Sequence, residues 1–201
     1  MRSISDPRQL RRQELIDLGC IALFVGLLAA PFAARLGFYS DDWNLLSQFQ
    51  GALTHHRFGI STMWRGFEAR PMQGLYLGTL YYAFRFDPLG YHLVNTAVLA
   101  GAVVSLFRLL RRMGLDRAVA FAAVVMLVVL PQLSTVRVWY STFQIPLSML
   151  FAVWALHAEL SFAQNGGIRW LAATTICGLL SIAAYETFAP IIFGFRVEEF
   201  R

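Results

Sequence analysis

Apolar and polar residues fall in long alternating blocks along this chain. A polar, arginine-bearing start over residues 1–17 gives way to an apolar run over 18–36, interrupted only by Pro31 and Arg35. That run is long enough to cross a hydrocarbon core of ~30 Å. Four further runs with few charges follow at 89–107, 118–136, 139–162 and 170–192. Residues 39–88 are different: Trp43, Phe49, Phe58, Trp64 and Phe67 are interleaved with His55, His56, Arg57, Arg65, Glu68 and Arg70. This mixture is too polar to span and suits short helices at the membrane surface, with aromatic rings at headgroup depth. Inside it, Pro71 to Phe84 is apolar but only 14 residues long, which fits an interfacial or re-entrant helix better than a span. The pattern therefore predicts an all-α fold, a polytopic transmembrane helical bundle of about five spans, with interfacial helices in a long first outer loop. Gln164-Asn165-Gly166-Gly167 is a turn signal, and Pro190 is expected to break or kink the last run. No repeat or linker divides the chain, so one membrane domain is expected.

Composition strengthens this reading. The chain is 57% hydrophobic and 14% charged, whereas soluble domains carry about a quarter charged residues. A net charge of +5 would suggest nucleic acid in a soluble protein. Here the charges sit at the ends of apolar runs, where they orient the chain and meet membrane lipids, so no nucleic-acid partner is expected. Every basic residue is Arg, which reads as compositional bias before it reads as phosphate chemistry. Cys20 and Cys177 lie in separate apolar runs and read as small buried hydrophobes. Metal-ligand spacing is absent from the sequence; a divalent metal has no support, and no cofactor is called for.

The arginines set the expected orientation. Arg2, Arg8, Arg11 and Arg12 precede the first run, and Arg108, Arg111, Arg112 and Arg117 follow the second. Under the positive-inside rule both groups belong in the cytoplasm, provided that 71–84 does not cross. The expected location is the inner (plasma) membrane, multi-pass, with the amino terminus cytoplasmic. Ala29-Ala30-Pro31-Phe32-Ala33-Ala34 weakly permits signal cleavage, but the length of the first run favours an uncleaved span.

This topology gathers Asp41, Asp42, the Arg and His residues of the long loop, Arg137 and Glu186 on the outer face. Carboxylates beside hydrocarbon are costly unless paired, solvated or functional. Asp41 or Asp42 could serve as a general base toward a hydroxyl. Arg65, Arg70 and Arg137 are candidates to clamp a phosphate leaving group through paired guanidinium donors. The plainer alternative makes Asp41 and Asp42 the cap of an interfacial helix starting at Trp43 and the arginines ordinary loop residues. Glu186, near the end of an apolar run, needs a partner or a role. His92 and Asn95 share a helical face at i, i+3 and either bond to another helix or line a cavity. His55 and His56, being neighbours, do not share a face and read as surface residues.

These residues resemble a known arrangement. Asp41-Asp42 after the first span, Arg70-Pro71-Met72 opening a short apolar helix, Gly90-Tyr91-His92-Leu93-Val94-Asn95 opening a span, Leu130-Pro131-Gln132 through Trp139, and Tyr185-Glu186-Thr187 with Pro190 look like the amino-terminal half of polytopic GT-C class glycosyltransferases. The nearest flavour is the protein O-mannosyltransferase-like and tetratricopeptide-linked mannosyltransferase group. The resemblance implies transfer of a sugar from a polyprenyl-phosphate-linked donor to an acceptor hydroxyl on the extracytoplasmic face. It implies that Asp41 or Asp42 is the base, Arg70 meets the donor phosphate, and Glu186 and Tyr185 stand where relatives carry a Ser-Lys-Glu sequence. Leu130-Pro131-Gln132-Leu133-Ser134-Thr135 departs from the His-Pro-x-His-x-Glu of relatives, and relatives have more spans. Remaining spans or a partner subunit are therefore expected to complete the pocket. The alternative is a non-catalytic membrane assembly or lipid-binding subunit. The sugar and the acceptor, whether glycan, lipid or protein, are not indicated.

Overall fold

The computed structural model describes residues 7–33, 35–57 and 59–194. Residues 1–6 of the expected cytoplasmic tail lie outside them. The described residues form α1 (Pro7–Ala33), α2 (Asp41–Thr54), α3 (Ile60–Trp64), α4 (Pro71–Phe84), α5 (Pro88–Arg112), α6 (Arg117–Val129), α7 (Ser134–Val138), α8 (Gln144–Asn165), α9 (Ile168–Ala184) and α10 (Ala189–Gly194). Short 3-10 turns occupy 131–133, 140–142 and 186–188, and the described residues contain no strand.

Three stretches are long and apolar enough to cross a membrane: Arg12–Ala33, Pro88–Arg112 and Tyr140–Asn165. Two of the five expected spans form shorter apolar helices, α6 with 13 residues and α9 with 17. The boundaries have local causes. Pro88 opens α5 at the position where a missing N–H costs nothing, and the Asp87 side chain accepts the Leu89 N–H as a cap. α6 is capped in the same way by Asp116 and stops at Val129, because Leu130 precedes Pro131 and is held extended (φ −56°, ψ 133°). The run expected to continue over 118–136 is therefore divided between α6, a 3-10 turn and α7. Likewise, α9 ends at Ala184, well before Pro190, with Tyr185 extended (φ −164°, ψ 132°). Beyond it the chain turns and α10 packs back against α8 and α9, instead of carrying one helix on to 192.

The long helices alternate in direction. Arg108 near the end of α5 bonds Glu14 near the start of α1, and Arg117 at the start of α6 bonds Asp17. Arg112 at the end of α5 reaches Ser161 and Gln164 near the end of α8. At the opposite end, Asn95 of α5 donates to the Val136 carbonyl. Ser148 early in α8 donates to the Tyr185 carbonyl just past α9. The α8–α9 hairpin turns through Gly166 and Gly167 at φ 63° and 99°, which only glycine adopts at little cost. It is joined by Ser181 Oγ, which donates to the Ser148 carbonyl at 2.9 Å, while Ser148 Oγ, whose one proton serves Tyr185, lies 2.9 Å from the Ser181 carbonyl. Small hydroxyl residues of this kind let apolar helices approach closely.

Two apolar seams fill the bundle. Ile21, Val25, Leu99, Val103, Phe107, Val124 and Val128 join α1, α5 and α6, and Leu109, Met149, Val153 and Leu156 join α5 to α8. A third cluster is aromatic and belongs to the loop end: Phe49, Phe67, Tyr81, Tyr91, Tyr140 and Phe143 with Leu46 and Leu77. It holds α2 and α4 against the bundle, and α3 packs on α4. Both ends of α4 lie at that same end of the molecule, because Arg70 before it meets Glu186 after α9, while Phe84 packs on Tyr91 at the start of α5. With 14 residues at ~1.5 Å each, α4 is about 21 Å long.

Candidate functional site

The loop end of the bundle contains all nine residues singled out in the sequence, but distributes them into separate groups. Asp41 and Asp42 open α2 yet have different surroundings. Asp42 is fully buried; one carboxylate oxygen accepts the Tyr39 N–H and the other the Ser141 N–H, each at 2.9 Å. The first bond folds the chain back at the helix entry, as a capping residue does, and the second ties α2 to the turn before α8. Burial pushes the Asp42 carboxyl upward from its ordinary value, and the N–H donors of Tyr39 and Ser141 pull it partly back. Asp41 is exposed and, among the described residues, accepts only a 3.3 Å bond from Ser40 Oγ. Ser40 sits at φ +32°, a strained value for a residue with a Cβ.

Glu186 meets Arg70, 116 positions away in the chain. Arg70 Nε lies 2.8 Å from one carboxylate oxygen and a terminal guanidinium nitrogen bonds the other, the bidentate arrangement that suits these groups. The guanidinium also lies 4.3 Å from the centre of the Tyr185 ring, within cation–π range. The Arg70 hydrogen bond holds the Glu186 carboxyl below its usual range, and the same bond raises the Arg70 guanidinium. This pair is half open to water.

His92 and Asn95 face into the bundle. His92 packs edge-on against Phe143 at 5.7 Å. Asn95 Nδ2 donates to the Val136 carbonyl at 2.8 Å, joining α5 to α7. His92 Nδ1 and Asn95 Oδ1 are buried without a hydrogen-bond partner among the described residues. The remaining two arginines do not converge on the carboxylates. Arg137 Nε donates to the Leu133 carbonyl of its own turn at 3.2 Å. Arg65 is exposed past the end of α3. Neither forms an ion pair among the described residues, where the pairs are Arg70–Glu186, Arg108–Glu14 and Arg117–Asp17. No group of three or more His, Cys, Asp or Glu side chains among the described residues is placed to hold a metal.

The sequence reading missed three features. The partner of Asp42 is a backbone N–H at Ser141, and main-chain donors leave no mark in side-chain identity. Tyr140 Oη donates to the Leu77 carbonyl at 2.8 Å and Tyr81 Oη bonds Gln50, so the phenols lock the loop platform to α8 and to itself. A cavity of about 920 Å³ lies at the opposite, arginine-rich end and contains none of the nine residues.

The architecture thus defines an all-α bundle with three helices long and apolar enough to cross a membrane. Comparison with protein-family models, curated proteins and solved structures finds no match.

Proposed function

We propose that this chain is the amino-terminal module of a membrane glycosyltransferase that takes its sugar from a polyprenyl-phosphate carrier on the extracytoplasmic face. The observation that carries the reading is the placement of the acidic pair. The first loop is folded into helices α2–α4 across one end of the bundle, and Asp41 and the Arg70–Glu186 pair lie at that end. The arginine-rich end opposite is the one that the positive-inside rule places in the cytoplasm. Asp41 and Glu186 are both exposed, but among the described residues Asp41 is engaged by neither a cation nor backbone donors, so it is the one available to accept a proton from an acceptor hydroxyl. Asp42 positions it by anchoring the first turn of α2. Arg70 offers its guanidinium to the donor phosphate, with Glu186 and Tyr185 holding it in place. The reaction forms a bond from the acceptor oxygen to the anomeric carbon and breaks the bond from that carbon to the phosphate oxygen. The proton goes to Asp41 and the lipid phosphate leaves as an anion.

A second reading, a non-catalytic subunit that holds a polyprenyl phosphate, is favoured by a separate observation. Asp42 and Glu186 are already satisfied within the fold, and the 920 Å³ cavity lies elsewhere. Transfer from a radiolabelled polyprenyl-phosphate sugar in membranes, compared between the wild type and Asp41→Asn, separates the two. The enzyme reading expects a loss of roughly 10²-fold or more, and equal transfer by the variant refutes Asp41 as base. Retention of the labelled lipid without transfer by the wild type selects the binding subunit.

A further inference from the structure

At the arginine-rich end, α1, α5, α8 and α9, with the first residue of α6, wall the 920 Å³ cavity. Its lining brings together Arg108, Arg111, Arg112 and Arg117 with two carboxylates, Glu14 and Asp17. The pairing is selective. Glu14 bonds Arg108 at 3.0 Å, and Asp17 holds Arg117 through two bonds of 2.7 Å. Asp116 faces a smaller neighbouring cavity beside Arg117.

Arg111 and Arg112 have only neutral partners among the described residues. Arg111 donates to the Leu115 carbonyl. Arg112 donates to the His157 carbonyl and ring, to Ser161 Oγ and to Gln164 Oε1, at 3.0 to 3.4 Å apart from the Ser161 bond at 2.9 Å. His157 is itself fixed: Nε2 lies 2.9 Å from the Ser105 carbonyl and donates to it, which leaves the Nδ1 lone pair to accept from Arg112. A neutral ring follows, so His157 adds no compensating charge of either sign. Arg111 and Arg112 are both exposed, so two positive charges that no carboxylate among the described residues neutralises converge on one cavity open to water and to an anion. Trp170 Nε1 is a buried donor in the same lining, with no partner among the described residues.

We propose that this cavity binds the phosphodiester headgroup of an anionic phospholipid, with Arg111 and Arg112 as its charge partners. Guanidinium groups present paired donors to phosphate oxygens, and basic pockets between membrane helices take anionic headgroups. The lipid source, as opposed to a soluble phosphate, follows from the walls. Leu15 and Ile16 on α1, and Ile168, Leu171, Ile176 and Leu179 on α9, are exposed apolar side chains on two of the helices that line the cavity, on faces turned away from its lining. They give acyl chains an apolar surface on the same helices that hold the headgroup site. The inference uses the membrane character of the bundle and is independent of sugar transfer.

Cys177 lines the cavity and reports on its occupancy. The test places a Cys20→Ser chain in phosphatidylcholine nanodiscs with or without phosphatidylglycerol and measures the rate at which the uncharged reagent N-ethylmaleimide modifies Cys177. A Cys177→Ser chain that keeps Cys20 controls for the bilayer. Phosphatidylglycerol is expected to slow modification of Cys177 by about tenfold, with Cys20 unaffected, because charge-assisted bonds to phosphate carry the affinity. Arg111→Gln, which leaves the Arg112 network intact, is expected to abolish most of that protection, and Arg57→Gln at the other end of the molecule to leave it whole. Equal Cys177 rates in the two nanodiscs overturn the proposal. So does equal protection by glycerol phosphate in phosphatidylcholine alone, which assigns the cavity to a soluble anion.

Discussion

Replacing Asp42 by alanine removes the acceptor for two backbone N–H groups, those of Tyr39 and Ser141, from a side chain with 0% exposure. Each N–H left without a partner in a buried site costs about 1–3 kcal/mol, so the pair amounts to roughly 2–6 kcal/mol. On the scaling for chains of this size, ~2–4 °C per kcal/mol, the midpoint of thermal unfolding in a fixed detergent falls by roughly 4–24 °C. Asp42→Asn loses part of that, since its amide keeps one acceptor and turns a donor toward the other N–H. Asp41→Ala, at an exposed position with one long bond, stays within about 0.5 kcal/mol of the wild type. The pH dependence has a definite sign. Burial raises the Asp42 carboxyl in the folded protein above 3.8. The stability linked to this proton is therefore fully present below that value and is lost as pH rises through the raised folded value. Asp42→Asn removes that part of the pH dependence. An Asp42→Ala protein as stable as the wild type, or an Asp41→Ala protein that loses more, refutes the assignment of Asp42 as the anchor of the loop platform.

Glu186 contributes with the opposite sign: its carboxyl is held below 4.5 by Arg70, so the stabilisation is present above that value and disappears as pH falls through the lowered folded one. A double-mutant cycle with Arg70→Met and Glu186→Gln should give a coupling of no more than about 1 kcal/mol, because the pair is open to water; a much larger coupling measured by unfolding would contradict that exposure. Gly74→Ala and Gly90→Ala push a methyl group into the Met63 carbonyl and the Phe84 ring, and each should destabilise by about 1–3 kcal/mol, whereas Gly101→Ala, with only Leu150 at 3.9 Å, should be nearly neutral in the same melt. Ser40→Gly relieves a φ of +32° and should leave stability unchanged or raise it slightly, and a clear loss would show that the Ser40 side chain is needed.

Local signals in the chain set the helical character and several boundaries. Apolar blocks of spanning length, and prolines at positions where a helix starts, act within a few residues of themselves. Pro71 and Phe84 therefore bound α4, and Pro88 opens α5, where the residues indicate. The same signals misjudge where α6 and α9 stop. Apolar residues continue past Val129 and Ala184, so the apolar run outlasts the helix in both cases; at α6 the local cue is Pro131, which holds Leu130 out of the helical region, and at α9 the exit of Tyr185 comes well ahead of Pro190. Tyr185 in particular is held by Ser148, a residue on another helix.

The candidate site divides in the same way. Residue type and position beside an apolar run already mark Asp41, Asp42, Arg70 and Glu186 as charges in need of an explanation. Only the tertiary structure makes the neighbouring aspartates unequal, by bringing the Ser141 N–H from 99 positions away onto one of them. It alone joins Arg70 to Glu186, and it alone leaves Arg111 and Arg112 without carboxylates among the described residues while Arg108 and Arg117 find theirs on α1. Hydrophobic burial and backbone stereochemistry are written into short stretches of sequence. The state of a charge depends on which distant groups the packed helices bring within about 3 Å of it.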